Sequence, residues 1–212
     1  PDPWDDRRSS RSPVEMSAAL LILLAWAIEW MIGWPDWLYK RIRHPVVWFG
    51  WLISALDRGV NRMTMKPRVR YFAGVLSALI CVAAATGFAS CITAALPSTV
   101  WGFAVEAIIA SSFIASRSLR LHVEDVARPL LMGNIDAARA AVAMIVGRDP
   151  AQLDEAGIVR ASLESLAENT SDGVTAPLFW GALLGLPGIA AYKMINTLDS
   201  MIGYRNERYS AF

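Results

Sequence analysis

The sequence predicts an all-α fold, a polytopic membrane helical bundle with a cytoplasmic helical portion and a broken or re-entrant apolar segment. Hydrophobic residues make up 55% of the 212 residues, and the mean hydropathy of +0.37 is also high for a soluble domain. Several apolar runs are long enough to cross a bilayer as helices. The formal net charge is only +1, so the overall charge does not indicate a nucleic-acid partner.

The composition changes twice along the chain. Residues 1–15 are polar and rich in proline and serine, which predicts a disordered tail. Residues 16–116 are predicted to form a membrane region with three spans and an interfacial helix. Residues 117–212 are predicted to form a cytoplasmic-facing helical region that would carry any catalytic site. Because cysteine and histidine show no metal-binding spacing, such a site would depend on carboxylates, amides, lysine and arginine.

The three predicted spans are 16–34, 71–96 and 100–115. The first contains Glu29 as its one charge, the second is uncharged, and the third contains only Glu106. A short uncharged turn joins the last two, which predicts an antiparallel hairpin whose small residues allow close helix packing. Acidic residues inside a span are functional candidates by default.

Between the first two spans, residues 35–70 contain many basic and few acidic residues. Large apolar residues at helical spacing in 44–63 predict a helix that lies along the bilayer surface, or else an amphipathic helix packed on a soluble core. The positive-inside rule places this segment in the cytoplasm. The N-terminus would then be outside a bacterial inner membrane, and the chain from Arg117 onward would be cytoplasmic.

Residues 117–173 have the pattern of soluble helices. Asp136 is predicted to cap one of them, and Asp149 to cap the next, with Pro following it. The apolar stripe of that last helix is predicted to contain Val159, Leu163 and Leu166.

Residues 174–192 are apolar and uncharged, but proline and glycine interrupt them repeatedly. A broken, re-entrant or bundle-buried pair of short helices is favoured over a straight fourth span, because irregular backbone at membrane depth must be covered by protein or water.

Two groups of polar residues could carry chemistry. Arg160, Glu164 and Glu168 share one helix face, and Asn169 and Asp172 follow at once. Carboxylate and amide oxygens suit Mg²⁺ and substrate phosphates, although spacing alone favours a solvated Arg–Glu ladder with an Asx-type turn. The second group could bind phosphate, or could be the basic edge of a membrane helix: Lys193, Asn196, Asp199, Ser200, Tyr204, Arg205, Asn206 and Arg208.

Other polar residues are weaker candidates. Asp149, beside Arg148, is more simply a helix cap, and His122 near acidic residues is more often structural than catalytic. The sequence has no P-loop, no dinucleotide-binding glycine motif and no nucleophile elbow. Residue spacing therefore leads only to a membrane protein with a polar site, of Mg²⁺–phosphate type, on its cytoplasmic side.

Longer sequence motifs are more specific than the spacing of single residues. The segments HPVVWFGWLI, IVGRD, ESLAEN-x-SDG, APLFW, GLPG and KMINTLDSMIGYRNERY stand in this order. Over residues 17–212 the chain resembles the adenosylcobinamide-phosphate synthase family, the CbiB/CobD-type cobalamin biosynthesis proteins. It departs from that family where Gly33-Trp34-Pro35 replaces a Gly-Asp-Pro sequence, with Asp36 one position later, and members of the family continue beyond the position of Phe212.

The resemblance implies a function. Members of the family are integral membrane proteins that join a corrinoid acid, (adenosyl)cobyric acid, to aminopropanol or aminopropanol phosphate, consuming ATP with Mg²⁺. Other membrane proteins of the cobalamin pathway are then candidate partners, together with the lipid bilayer. The alternatives are a non-enzymatic inner-membrane sensor or regulator of a related family, and a corrinoid-binding scaffold or transporter subunit.

The resemblance also places the site in these motifs. The expected catalytic residues are Glu164, Glu168, Asn169, Asp172, Lys193 and Asp199. The expected metal ligands are Glu168, Asp172 and Asp199. The expected substrate-binding residues are His44, His122, Arg148, Asp149, Arg160, Asn196, Ser200, Tyr204, Arg205 and Asn206.

Overall fold

A computed structural model describes residues 13–146 and 151–212, and every regular element in these two ranges is helical. Residues 1–12 of the predicted tail at 1–15, together with Arg148 and Asp149, lie outside them, and residues 13–15 belong to the first helix. The helices are α1 (Pro13–Met31), α2 (Asp36–Ile42), α3 (Pro45–Val60), α4 (Pro67–Ala95), α5 (Val100–Ser111), α6 (Ser116–Leu131), α7 (Ile135–Val142), α8 (Glu155–Thr170) and α9 (Ala176–Ile202). One π-helical turn, Ser171–Thr175, connects α8 to α9.

The helices have the length and apolar character of a membrane protein. Three stretches of the described chain are long and apolar enough to cross a bilayer: Pro67–Ala95, Val100–Leu131 and Glu155–Ile202. Helix α1 together with α2 and α3 would make a fourth, although the chain bends by 110° between them. The predicted all-α membrane bundle is confirmed, while the identity of the membrane and the orientation remain predictions.

Helix α9 is the central helix of the bundle and packs against α1, α3, α4 and α5. Its buried residue Leu186 belongs to a cluster with Ile22 of α1 and Phe113, which follows α5. Closer to its C-terminal end, Met194 packs in a second cluster with Ile53 of α3. These contacts fix the polar end of α9 relative to the other helices.

The apolar segment at 174–192 is broken, as the sequence predicts. Gly185 has φ 65° and ψ −151°, which is not helical, and Pro187 follows inside the same helix. A Cβ added to Gly188 would lie 2.4 Å from the Trp180 carbonyl oxygen, so only glycine allows the chain to fold back this closely. The neighbouring helices cover the break, and whether the segment re-enters or spans the bilayer remains a prediction.

Some local predictions are wrong. Helix α4 packs against α3 and α9, and α5 against α1 and α9, instead of forming a closely packed α4–α5 hairpin. Their packing against the central helix α9 replaces close packing against each other, although the Thr93 hydroxyl still donates to the Glu106 carboxylate at 2.7 Å. Asp136 is not the cap of α7, because Asn134 accepts the Ala137 N–H.

Helix α8 also differs from its prediction. It begins at Glu155 with Asp154 as its cap, since the Asp154 side chain accepts the Gly157 N–H at 2.7 Å. Val159 and Leu163 are exposed, at 43% and 59% of their surface. The helix instead buries the face that contains Ile158, which packs on α6 and α7.

Helices α1 and α6 cap each other. The buried carboxylate of Glu29 on α1 accepts the Arg117 backbone N–H at 3.0 and 3.1 Å, so it caps the N-terminus of α6. The Arg117 guanidinium in turn donates to the Trp30 and Met31 carbonyl oxygens at the end of α1. Unpaired N–H groups at a helix start and carbonyls at a helix end need such partners. The intramembrane acid Glu29 therefore has a structural role in setting the position of α6.

A substitution at Gly33 tests the junction between α1 and α6. Gly33 has φ +68°, and a Cβ there would lie 2.9 Å from Arg117 Cδ. We expect Gly33→Ala to lower the free energy of unfolding by about 1–3 kcal/mol, because alanine is strained in this region of φ. Thermal unfolding in detergent measures the change. Gly59→Ala is the matched control, since nothing lies within 4 Å of its Cβ position on α3, and equal destabilisation of both variants would contradict the assignment.

A buried polar cluster holds the chain after α9 against α3 and α4. We call it the C-terminal clamp, and it consists of Asp57, Asn61, Arg70 and Arg208. Arg70 donates to Asn61 Oδ1 at 3.0 Å and also to the Arg208 carbonyl, while Asn61 donates to Asp57 Oδ1 at 2.9 Å. Arg208 donates to Asp57 Oδ2 at 2.7 Å, and this hydrogen bond raises the pKa of the exposed guanidinium.

Candidate functional site

A polar cavity of about 510 Å³ lies where α6, the segment after α7, the end of α8, the π-helical turn and α9 meet. We call it the polar cavity. It brings together seven of the residues predicted for the site: His122, Glu168, Asn169, Asp172, Lys193, Asn196 and Ser200. They come from three separate parts of the chain, so some members of both predicted groups of polar residues line one cavity.

Asp172 is the residue with the most partners in this cavity. Asn196 Nδ2 donates to its Oδ2 at 2.9 Å, and the Tyr192 hydroxyl lies 3.4 Å from its Oδ1. Lys193 Nζ lies 3.4 Å from the Asp172 backbone carbonyl. The carboxylate is thus oriented by two neutral donors, with a cation beside it.

The π-helical turn explains how Asp172 reaches the cavity. It occupies Ser171–Thr175, between two long α-helices. The wider turn changes the direction in which Asp172 projects, and such π-turns are frequent at functional sites. Gly173 in the same turn is buried, and its carbonyl accepts the Ala115 N–H at 2.9 Å. This bond ties the turn to the start of α6.

Among the described residues that line the polar cavity, Lys193 is the one with a cationic side chain. Its side chain is half-buried on α9. Its ammonium group interacts electrostatically with Asp172 on one side and with His44 on the other. A cation with little solvent around it attracts an anionic ligand more strongly than an exposed one.

Asn169 is held in place by a residue that the sequence analysis did not select. Its Nδ2 donates to the Ser165 carbonyl at 2.8 Å and lies 3.0 Å from Ser165 Oγ. Ser165 Oγ donates in turn to the Ile145 carbonyl at 2.6 Å. Tyr192 is the second residue that was missed. Ser165 could have been found from its position four residues before Asn169, whereas no sequence signal indicated Tyr192.

Helix α6 contributes His122 and Ser118 to the cavity wall. His122 Nδ1 lies 2.7 Å from the Ser118 carbonyl oxygen, one helical turn earlier. Glu29 of α1 caps this helix, as described above. Helix α1 therefore helps to position the part of the cavity wall that α6 forms.

Two predicted residues of α8 lie elsewhere. Arg160 and Glu164 line a separate cavity of about 200 Å³ near the first half of that helix. Residues four apart share a helix face but are separated by about 6 Å along the axis. Helical spacing therefore predicted correctly that Arg160, Glu164 and Glu168 share a helix face. A shared face does not, however, bring Glu164 into the polar cavity.

The residues at the end of α9 are also outside the cavity lining. Asp199 is exposed beside Gly203, where a Cβ would lie 2.5 Å from Asp199 Oδ1. Asn206 accepts the Arg208 and Tyr209 N–H groups in a local turn, and Tyr204 and Arg205 are exposed in the same segment.

His44 is the N-cap of α3, because its Nδ1 accepts the Val46 N–H at 3.3 Å. It contacts the Trp34 ring edge-on, with 4.9 Å between centroids. It does not line the polar cavity, although it is close enough to interact with Lys193. The predicted residues Arg148 and Asp149 lie outside the described residues.

The described residues contain no group of three or more His, Cys, Asp or Glu side chains that could hold a metal ion. The three predicted ligands Glu168, Asp172 and Asp199 are therefore not gathered into a metal site. Glu168 and Asp172 nevertheless line one cavity with Lys193. Mg²⁺ commonly takes only one or two carboxylates and completes its coordination with phosphates and water, so this donor set fits a metal ion that is bound together with a nucleotide.

Comparison with known proteins gives one consistent family. The family described as CobD/Cbib protein matches residues 22–212. A protein of Rhodobacter capsulatus named "Cobalamin biosynthesis protein CobD" is 52% identical over 197 residues, which cover 93% of this chain and 62% of that protein. Proteins of the same name from a Sinorhizobium species and from Brucella suis are 46% and 44% identical, over 93% of this chain and 62% and 61% of their own lengths.

The chain thus spans about three fifths of the length of the curated relatives that it matches. No solved structure matches it.

Proposed function

The chain belongs to the CobD/Cbib family, and we propose on that premise that it acts in cobalamin biosynthesis as an ATP-dependent amide-forming ligase. Its substrates would be (adenosyl)cobyric acid and aminopropanol or aminopropanol phosphate. The observation that supports this best is the polar cavity, in which Glu168, Asp172 and Lys193 meet although they are separated in the sequence.

The cavity has the groups that such a reaction needs. Joining a carboxylate to an amine requires that the carboxylate be activated, because its oxygen is a poor leaving group. In the proposed reaction a carboxylate oxygen of the corrinoid attacks the γ-phosphorus of ATP, and ADP leaves. The substrate ammonium gives up one proton to become an amine, and its nitrogen then forms a bond to the acyl carbon. Phosphate leaves, and the nitrogen gives up a second proton.

The surroundings of each residue support a specific role in this reaction. The ammonium of Lys193 would bind the transferred phosphoryl group and offset its charge. The carboxylate of Asp172, held by Asn196 and Tyr192, would orient the substrate ammonium and accept its proton. Glu168 would hold Mg²⁺, which would supply charge neutralisation at the phosphates when bound.

The size of the cavity suggests which part of each substrate enters it. A volume of about 510 Å³ suits a drug-sized ligand and is too small for a corrin macrocycle in addition to a nucleotide. We therefore propose that only the reacting carboxylate side chain of the corrinoid enters, while the ring remains outside.

A detergent assay of the purified protein tests the function. With (adenosyl)cobyric acid, aminopropanol phosphate or aminopropanol, Mg²⁺ and ATP, mass spectrometry should detect amide product and ADP, and neither should form when ATP is omitted. ATP binding without product under all these conditions would overturn the ligase proposal and favour a sensor or regulator.

Two variants on one helix test the location of the site. Glu168→Gln should lower the rate of product formation by about 100-fold, because a charged ligand in the cavity is lost. Glu164→Gln, one turn earlier, should retain most of the activity, since its side chain lines the other cavity. If Glu164→Gln proved the more damaging of the two, the polar cavity would not be the reaction site.

A further inference from the structure

A second cavity, of about 340 Å³, lies between α2, α3, α4, α5 and α9. We call it the apolar cleft. Its walls are almost entirely hydrophobic, and the residues that characterise it are Trp34, Leu38, Phe49, Phe88, Ile109 and Leu186. None of the residues proposed for the ligase reaction lines it.

The cleft opens toward the apolar exterior of the bundle. Phe88 on α4 and Ile108 on α5 line the cleft, and 63% and 54% of their surface is exposed. Helix α4 is one of the stretches long enough to cross a bilayer. The lipid surroundings of such helices can thus reach the cleft directly.

One wall of the cleft contains a polar group that lacks a partner. Trp34 Nε1 is buried and has no hydrogen-bond partner in the part of the chain that the structure describes. A buried donor is normally satisfied, and leaving it unpaired is costly. Trp34 lines the cleft, and an occupant whose oxygen atom reached Nε1 would satisfy this donor, whereas a pure hydrocarbon would not.

The edge of the cleft at α2 is positively charged. Leu38 and Ile42 of this helix line the cleft, and Lys40, Arg41 and Arg43 on the same short segment are exposed. The one acidic residue of α2 is Asp36, in its first turn. The charge at this end of the cleft therefore complements an anion.

We infer that the apolar cleft binds an anionic phospholipid, with an acyl chain between α3, α4 and α5. A lipid oxygen would accept the Trp34 Nε1–H, and the headgroup phosphate would lie beside Lys40 and Arg41. Hydrocarbon, a hydrogen-bond acceptor and negative charge occur together in this class of ligand, and each matches one feature of the cleft. This site is separate from the polar cavity and does not depend on the ligase reaction.

Native mass spectrometry of the detergent-purified protein tests the inference, with dioleoylphosphatidylglycerol and dioleoylphosphatidylcholine as probes of equal chain length. The anionic lipid should bind at one site, preferred over the zwitterionic lipid by roughly fivefold or more. The double variant Lys40→Gln/Arg41→Gln should lose this preference, and Trp34→Phe, which keeps the ring but removes the donor, should weaken binding of both lipids.

The matched control is Arg62→Gln/Lys66→Gln, which removes the same charge from the exposed segment between α3 and α4. It should keep the preference, and thermal unfolding should show that all variants are folded. Equal binding of the two lipids, or an equal loss in the control, would overturn the inference. So would displacement of the bound lipid by (adenosyl)cobyric acid, because the cleft would then belong to the substrate.

Discussion

Asp172→Asn is expected to lower the rate of amide formation by about 100- to 1000-fold while the protein remains folded. The substitution keeps the shape of the side chain: its one amide oxygen can still accept from Asn196, and its NH₂ group can donate to the Tyr192 hydroxyl, which also accepts hydrogen bonds. It removes the negative charge beside Lys193, and with it the group proposed to orient the ammonium and take its proton. The loss should therefore appear in turnover more than in stability.

Product formation per unit of protein, followed by mass spectrometry, measures this effect, and thermal unfolding in detergent checks the fold. Asp136→Asn on α7 is the matched control, because 94% of the Asp136 side chain is exposed, far from the cavity lining. Activity of Asp172→Asn within a few-fold of the unsubstituted protein would show that the carboxylate is not part of the reaction.

Arg70→Met is expected to give the largest loss of stability. Arg70 is 95% buried, since only 5% of its surface is exposed. It is the donor both to Asn61 Oδ1 and to the Arg208 carbonyl in the C-terminal clamp. Methionine fills similar space but leaves Oδ1 of the buried Asn61 without this donor, and it removes one of the two donors to the Arg208 carbonyl, which keeps Asn61 Nδ2. We expect the free energy of unfolding to fall by about 2–4 kcal/mol, from the cost of unsatisfied buried polar groups.

Hydrogen–deuterium exchange distinguishes this effect from general destabilisation. Residues 203–212 should exchange faster in Arg70→Met, since the clamp holds them against α3 and α4, while the core of α9 should change less. Arg68→Met is the matched control, because it removes an exposed arginine from the same first turn of α4. If both variants lowered the melting temperature equally, the clamp would not be the stabilising element.

Much of the fold follows from local pattern. The long apolar runs predicted helices α1, α4 and α5, because a helix that satisfies its own backbone is the simplest structure for such a run. Gly185 and Pro187 likewise predicted the break in α9. The buried face of α8 was predicted wrongly, since Ile158 packs against residues of α6 and α7 that are distant in sequence.

The residues of the candidate site were likewise predicted only in part from local pattern. Helical spacing placed Lys193, Asn196 and Ser200 on one face of α9, and these three residues do share the polar cavity. Spacing could not separate Glu164 from Glu168, because it defines a face and not a position relative to other helices. Tyr192 was missed because its role depends on Asp172, twenty residues earlier along the chain.

By itself, the sequence determined the helical class, the membrane character, the family resemblance and the residue types available for chemistry. These properties depend on composition, periodicity and motifs, which a linear chain displays in full. The tertiary structure decided which polar residues meet. Asp172 meets Asn196, on the other side of the break at Gly185, through a contact between two parts of the folded chain, and Glu29 caps a helix because α1 packs beside α6. Contacts of this kind arise from packing between distant segments, which no local pattern encodes.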